Sequence, residues 1–415
     1  MLKSIIKKEI LQNLTSYKFA IIIILSTVLI LVSLFIMYRD YQLRLENYEI
    51  LQPKSNEPIA IIPPTPLSIF ARGLDENLTR SYEIRFGGQI RVGSKQQSVN
   101  NLFRLFTTPD LLYVIKVILA LCAMLFAFDM ICGEKESGTL KQTLSNSINR
   151  PMLILGKWIG GFASFIAPFF IAVLLGTILI SFSPQIKFSG ASRLKLGIML
   201  LSAVSYLAIF YSLGLMISSL THRASSSLVI SLFVWAMLVF VIPNLGNILA
   251  RQFIKIPSVQ QLEIRRQQVW IKEVFERINK GKDWTEVQTT INAENDKLIA
   301  DYRARFNQLV TLPQNITRFS PAAAFTYLAT DLAGTGIYEE RRLKQAVVEY
   351  KNLIWDKPTD SDGNIAGEFP AFSYERSLIS QVLNFGGMSN LLVLVLFNVL
   401  FFAGAYVMFL KYDVR

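Results

Sequence analysis

The sequence predicts an all-α polytopic membrane protein, with a mainly helical domain and a small β-hairpin outside the bilayer. Three observations carry this. Of 415 residues, 52% are hydrophobic and only 17% charged. The apolar residues are gathered into uninterrupted runs, six of which approach or exceed the ~20 residues that a spanning helix needs. The segments between the runs include stretches of Glu, Lys, Ser and Thr, as in 133–147. These cannot stay in hydrocarbon, because each unsatisfied polar group there costs several kcal/mol.

In chain order, Leu2, Ile5, Ile6, Ile10 and Leu11 fall at helical spacing with Lys3, Lys7 and Lys8 among them. This predicts an amphipathic helix over 2–14 lying in the membrane interface, with a plain extension of the first span as the alternative. The first span is 19–38, uncharged, and its apolar residues favour insertion by about 4–8 kcal/mol. Residues 39–108 lie outside. Pro53 ends a continuation of the helix, and Pro63, Pro64 and Pro66 keep the chain extended. Tyr82, Ile84 and Phe86, then Gly87-Gly88, then Ile90 and Val92 predict a hairpin with a two-residue turn.

The second span is 111–131, with Lys116 near one end and Asp129 near the other. Both positions allow snorkelling, and Lys116 has the alternative reading of a substrate contact. The third span is 158–182 and the fourth 196–220. Their Gly and Ser residues suit close helix packing. The fifth is 228–249, where Pro243-Asn244 predicts a kink or unwinding near one end. Ile271, Val274, Phe275 and Ile278 mark one amphipathic helix, and Val287, Ile291, Leu298, Tyr302 and Leu309 a second, antiparallel to it. Asp283 and Glu286 have capping-box spacing, Pro313 ends the second helix, and Ser320-Pro321 starts another that stops at Gly334. A further helix, 337–355, precedes a loop over 358–370. The sixth span, 391–410, carries Asn398 and Gly404.

The expected divisions are 1–38, interfacial helix and first span; 39–109, outside; 110–250, spans two to five with the polar loop 132–157; 251–389, an outer helical domain; and 390–415, the sixth span and tail. Six spans place both termini on one side. Lys3, Lys7, Lys8, Lys18, Lys135, Lys141, Arg150, Lys157, Arg223, Lys411 and Arg415 make that side the cytoplasm, against Lys187, Arg193 and Lys195 on the other. The net charge of +12 then reads as basic extramembrane surface, with no nucleic acid implied. The first apolar run is too long for the core of a cleavable signal and lacks a small-residue cleavage site.

Catalytic chemistry is not encoded in any recognisable motif. Gly156-Lys157 and Gly281-Lys282 lack the glycine spacing and following Ser or Thr of a P-loop. There is no HExxH, CxxC or GxSxG. Cys122, Cys132 and the single His222 make no metal set, and copper in particular has no soft-ligand cluster. Glu134 and Glu136, two residues apart on a helical stretch, point in different directions and so make no catalytic pair.

The run from Gly133 to Lys157, GEKESGTLKQTLSNSINRPMLILGK, combines acidic residues, Gly-Thr-Leu, Leu-Ser, an Arg and a terminal Gly-Lys. It resembles the first cytoplasmic loop of ABC-2-type permeases. The N-terminal helix, six spans and the final Lys-Tyr-Asp-Val-Arg are also similar to that family. The segment RFSPAAAFTYLATDLAGTG, 318–336, resembles the branch with a large outer domain between spans five and six, which includes multicopper-enzyme-maturation-type permeases.

The resemblance implies a non-catalytic membrane subunit in a prokaryotic cell (inner) membrane, paired with a second permease chain, identical or related. A separate ABC ATPase would bind ATP and Mg, leaving no cofactor in this chain. Glu134, Glu136, Gly138, Thr139 and Leu140 would fall in the coupling helix that enters a groove of that ATPase. Spans two and five line the path in the family; Lys116, Asp129, Pro243 and Asn244 on those spans, with Asn398 on the sixth, are the candidates for pathway or gating. Export is the expected direction, of a substrate the sequence does not name. The alternative is a mechanical or signalling protein whose outer domain acts on an extracytoplasmic partner with nothing transported.

Overall fold

The computed structural model describes residues 2–51, 58–85, 89–93, 109–145, 149–184, 186, 188–253, 259–281, 283–355 and 369–411. Phe86, Gly87, Gly88, Lys187, Lys282, most of the 358–370 loop and Arg415 lie outside them. The chain forms two compact units, 1–239 with 321–415, and 240–320. Among the described residues, six helices are long and apolar enough to cross a membrane: Tyr17–Leu51, Leu111–Glu136, Arg150–Ser181, Gly190–Leu220, Ala224–Gly246 and Ile379–Leu410. Most begin earlier than the apolar runs, because a helix keeps its backbone bonds past the edge of the hydrocarbon.

In the first unit, helix α1 (Leu2–Leu14) is separate from the first span. The Thr15 and Ser16 hydroxyls bond back to the carbonyls of Leu11 and Asn13, and the Ser16 hydroxyl then accepts the N–H of Phe19. A residue that closes one helix and caps the next breaks the chain there. The alternative of a plain extension is therefore replaced by a distinct helix. It lies along the third span, and the third span packs in turn on the first. A Cβ at Gly160 would come within 2.8 Å of the Glu9 Cβ and 3.0 Å of the Ile6 carbonyl, so only glycine admits this approach.

The fourth span is the centre of the unit, with Tyr206, Phe210 and Tyr211 fully buried. It is bonded to three other spans. The Tyr206 hydroxyl donates to the Lys116 carbonyl at 2.8 Å, Trp158 Nε1 to the Ser212 hydroxyl at 2.8 Å, and Asn398 Nδ2 to the Ser205 carbonyl at 2.9 Å. Buried polar groups need partners, and in a membrane such bonds also fix helix register. The first turns of the second span follow an i→i+5 pattern over Val114–Leu119.

Beyond one end of the spans, strands β1 (Ile59–Ala60), β2 (Tyr82–Arg85) and β3 (Gln89–Val92) form an antiparallel sheet in that order. Arg85 pairs with Gln89, Ile84 with Ile90 and Tyr82 with Val92. The hairpin is present, but a two-residue turn at Gly87-Gly88 would have put Phe86 opposite Gln89. The observed register has an odd number of residues between the strands. It keeps Tyr82 and Ile84, both buried, on one face.

At the other end, the loop after the second span folds as α2 (Cys132–Glu136) and α3 (Thr139–Ser145). The second unit is helical. Of the kink or unwinding expected at Pro243-Asn244, the chain does not unwind: an i→i+5 turn over Met237–Val241 precedes Pro243 and the chain continues as helix α4 (Ile242–Phe253). Helices α5 (Val259–Lys280) and α6 (Trp284–Thr317) are neighbours, as the two apolar stripes predict. Pro313 lies inside α6 and does not end it. Asp283 makes no side-chain cap. Its carboxylate is taken by the Thr285 hydroxyl, which replaces the expected capping box. Val287 and Ile291 are buried, whereas Ile271, Phe275 and Ile278 on α5 are exposed, the last two by 63% and 73%.

The outer segment expected over 251–389 is divided at Ser320. Helix α7 (Pro321–Ala333), small and apolar, packs on the fourth and sixth spans, with Phe325 stacked on Tyr206 at a ring separation of 4.7 Å. Helix α8 (Ile337–Trp355) covers the sheet through Leu343, Val347, Tyr350 and Ile354. Residues 369–378 then return without regular structure. They are held by buried Glu339, which accepts the hydroxyls of Ser377 at 2.6 Å and Tyr374 at 2.9 Å. Arg376 donates to the Gly334 and Pro63 carbonyls. Burial raises the Tyr374 phenol well above its usual range, reinforced by Glu339, and burial lowers the Arg376 guanidinium.

Candidate functional site

Residues 128–149 hold the chemistry that the fold does not need for spanning. The second span's helix stops at Ala127 and the chain turns over Phe128–Ile131. The Ser218 hydroxyl, buried at the end of the fourth span, accepts the N–H groups of Ile131 at 2.9 Å and Cys132 at 3.0 Å. The Ser227 hydroxyl donates to the Phe128 carbonyl at 2.6 Å. These two serines, one on each side of the short 221–223 turn, pin the entry to α2.

Each charged residue of α2 then has a different span as its partner. Glu134 accepts from Lys157 Nζ, on the third span, at 2.8 Å. Lys135 donates to the Ser219 and Thr221 carbonyls, the unsatisfied C-terminal groups of the fourth span. Glu136 accepts the Ala224 N–H at 3.0 Å, at the N-terminus of the fifth span, where helix dipole and free N–H groups favour a carboxylate. Asp129 pairs with Lys18 of the first span, and Arg150 donates to the Leu410 carbonyl at the end of the sixth. The loop is thus tied to every span that reaches this end.

Lys157 has a second partner. Its ammonium donates to Glu9 of α1 at 3.0 Å. The three side chains are 4% (Lys157), 7% (Glu9) and 24% (Glu134) exposed, so one buried cation joins α1, α2 and the third span.

The outward face of the loop is made by Glu136, Ser137, Gly138, Thr139, Lys141, Gln142 and Ser145, all exposed, while Leu140 is buried. Gly138 has φ +75°, which makes a joint between α2 and α3 where a single helix was expected. Nothing lies within 4 Å of a Cβ placed there. Gly138→Ala is therefore expected to cost about 1 kcal/mol from backbone conformation alone. A dye that reacts with the two buried cysteines on thermal unfolding reads this as a small shift. A loss as large as for a core residue would mean that the two helices are not joined as described.

The other candidates have these positions. Lys116 is half-buried, its ammonium 6.0 Å from the Tyr113 ring centre. Asn398 spends its amide N–H groups on Ser205 and the Leu394 carbonyl, which makes it an interhelical tie. Pro243 and Asn244 lie in α4, and Asn244 donates to the Phe240 carbonyl at 2.8 Å. Among the described residues no group of three or more His, Cys, Asp and Glu could hold a metal. Two apolar grooves of about 500 and 510 Å³ open beside the third span. The first is lined by Phe170, Leu174, Ile178 and Leu196, the second by Trp158, Phe162, Ser205, Asn398 and Phe402.

Of the residues expected to contact an ATPase, Gly138 and Thr139 face outward, Glu134 is turned in and Glu136 caps a helix. The ion triad was not foreseen. Its signal was an acid, Glu9, on the apolar stripe four residues after Ile5, and a lysine at the mouth of an apolar run. A search of curated proteins finds no match. The model of a family described as ABC-2 family transporter protein matches residues 3–414. With six spans and a match over nearly its whole length, the chain belongs to the ABC-2 family of transporter proteins, as a membrane component of an ABC transporter.

Proposed function

We propose that the chain is the membrane subunit of an ATP-driven exporter, paired with a second permease chain and driven by a separate ATPase that grips the 132–145 segment. The observation that carries this is the set of partners of α2. A short element next to the exposed face, bonded to the third, fourth and fifth spans and through Lys157 to α1, transmits a push to all of them at once. Side-chain ties between rigid helices move bodies where a loose loop would absorb the displacement. The lysine and arginine bias supports a cytoplasmic position for this end and both termini; a prokaryotic cell membrane, and ATP and Mg held by the partner chain, belong to the same proposal.

The test is co-purification of the full-length chain from native membranes, wild type against Thr139→Trp with Gln142→Trp, both at exposed positions. Recovery of an ATPase with wild type and its loss with the variant is the expected result. Recovery with both keeps the complex and moves the contact elsewhere. No ATPase with either overturns the reading.

A second reading has one observation in its favour. The helical unit 240–320 carries the exposed stripe Ile271, Phe275 and Ile278. An apolar stripe of this kind suits a protein partner, and work on such a partner needs no substrate. ATP turnover by the purified complex that rises with added lipid, peptide or drug favours export. Turnover indifferent to all of them, with a captured envelope protein, favours the mechanical alternative.

A further inference from the structure

We propose that Lys157 makes the N-terminal helix a moving part of the coupling apparatus. Its ammonium, shared between Glu134 and Glu9, carries displacement of α2 to α1 as well as to the third span. The inference rests on the reading of 132–145 as the ATPase contact.

Four observations support it. The ammonium lies 2.8 Å from Glu134 and 3.0 Å from Glu9, so both pairs are hydrogen-bonded ion pairs. Charge-assisted bonds of this length are roughly twice as strong as neutral ones. The site is closed to water around Lys157, where an ion pair is screened little by salt and an unpaired ion is costly. The ammonium therefore follows its carboxylates in preference to parting from them.

The burial is graded as well. Glu134 is the most exposed of the three and sits on the short element next to the outward face, and Glu9 is among the most buried acids of α1 and the spans. Force applied at the surface thus enters at Glu134 and leaves at Glu9. Finally, α1 has no slack against the third span. A Cβ at Gly156 would meet Ile5 at 2.5 Å, and one at Gly160 would meet Glu9 and the Ile6 backbone. A helix seated that closely, and separated from the first span at Thr15 and Ser16, moves as one piece with its neighbour.

The exposed side of α1 includes Lys3, Lys7 and Lys8, which lie away from the triad. Nucleotide-driven movement of the ATPase would in this way reach the membrane by a second route, through a helix at the N-terminal end of the chain.

The test uses the full-length chain in lipid nanodiscs with its co-purified ATPase, with Cys122 and Cys132 replaced by serine and alanine. Spin labels are placed in pairs at Lys8 and Lys411, and at Ser137 and Lys411, all exposed. Distances are compared in the nucleotide-free state and after trapping with ATP and vanadate. The variant is Glu9→Gln, Glu134→Gln and Lys157→Met together, which removes the ions and leaves no charge unmatched.

In the wild type, trapping is expected to shift both distances. In the triple variant the Ser137 shift persists and the Lys8 shift falls by about half or more. A Lys8 shift that survives in the variant, or its absence in the wild type while Ser137 moves, overturns the proposal. If neither label moves, the reading of the loop as the ATPase contact fails, and the proposal with it. Lys157→Met alone, which leaves two carboxylates facing each other, is expected to lower the yield of folded complex. Restoration of that yield in the triple variant separates the relay from a merely structural role.

Discussion

Asp75→Ala is expected to lower the stability of the chain by about 3–5 kcal/mol, the cost of removing one member of a buried ion pair. Asp75 is fully buried and pairs with Arg44, which is nearly so. Arg44 also holds Asp40 at 3.0 Å and the Ser68 hydroxyl at 3.3 Å. Arg72 continues the network to Asp40 and Glu76. This network attaches the extension of the first span to the 58–78 segment. Without Asp75 the guanidinium keeps its burial and loses the buried one of its two carboxylate partners, leaving only the partly exposed Asp40. The two native cysteines make the measurement simple, since both are free and buried and react with a maleimide dye only as the protein opens. The melting point should fall by many degrees for Asp75→Ala and recover in large part for Asp75→Leu with Arg44→Met. A single substitution that melts like the wild type would mean that the pair is solvated.

Phe325→Ala is the second large effect, about 3–5 kcal/mol from lost burial and the cavity left behind. Phe325 and Tyr206 are both buried and stack with an interplanar angle of 12°. Tyr206 is also the residue whose hydroxyl holds the Lys116 carbonyl, so the cavity opens beside the irregular turn of the second span. Phe325→Leu, which keeps most of the volume, should cost less than half as much in the same dye assay. Equal losses for the two would place the cost in the stack and not in the space.

These two sites show what a sequence conveys and what it withholds. The six spans were legible because hydrophobicity is a property of the residue, and about 20 apolar residues in a row have few other places to go. The helix 2–14 was legible from its stripe, and its end from nothing but Thr15 and Ser16, whose bonding depends on geometry. Helix α7 read as part of an outer domain because Ser320-Pro321 announces a helix start in any setting. Only its neighbours, Tyr206 among them, place it on the spans. The same holds for the loop. Its polarity marked it as functional, but Glu134 and Glu136 read as surface acids until Lys157 and the Ala224 N–H were beside them. Pro313 failed as a stop for a related reason, since a helix packed on neighbours tolerates the lost bond that would break an isolated one.

The two grooves beside the third span have a practical consequence. Protein interiors are close-packed, and a space without partner atoms forfeits dispersion energy along its whole lining. In these grooves, lined by residues such as Leu174, Ile178, Trp158 and Phe402, the missing atoms are supplied by the surroundings. The bilayer therefore finishes a packing job the polypeptide leaves incomplete. The protein should be most durable where flexible hydrocarbon can thread into those recesses, and bulky or rigid surfactants that bridge across them should shorten its life outside the membrane.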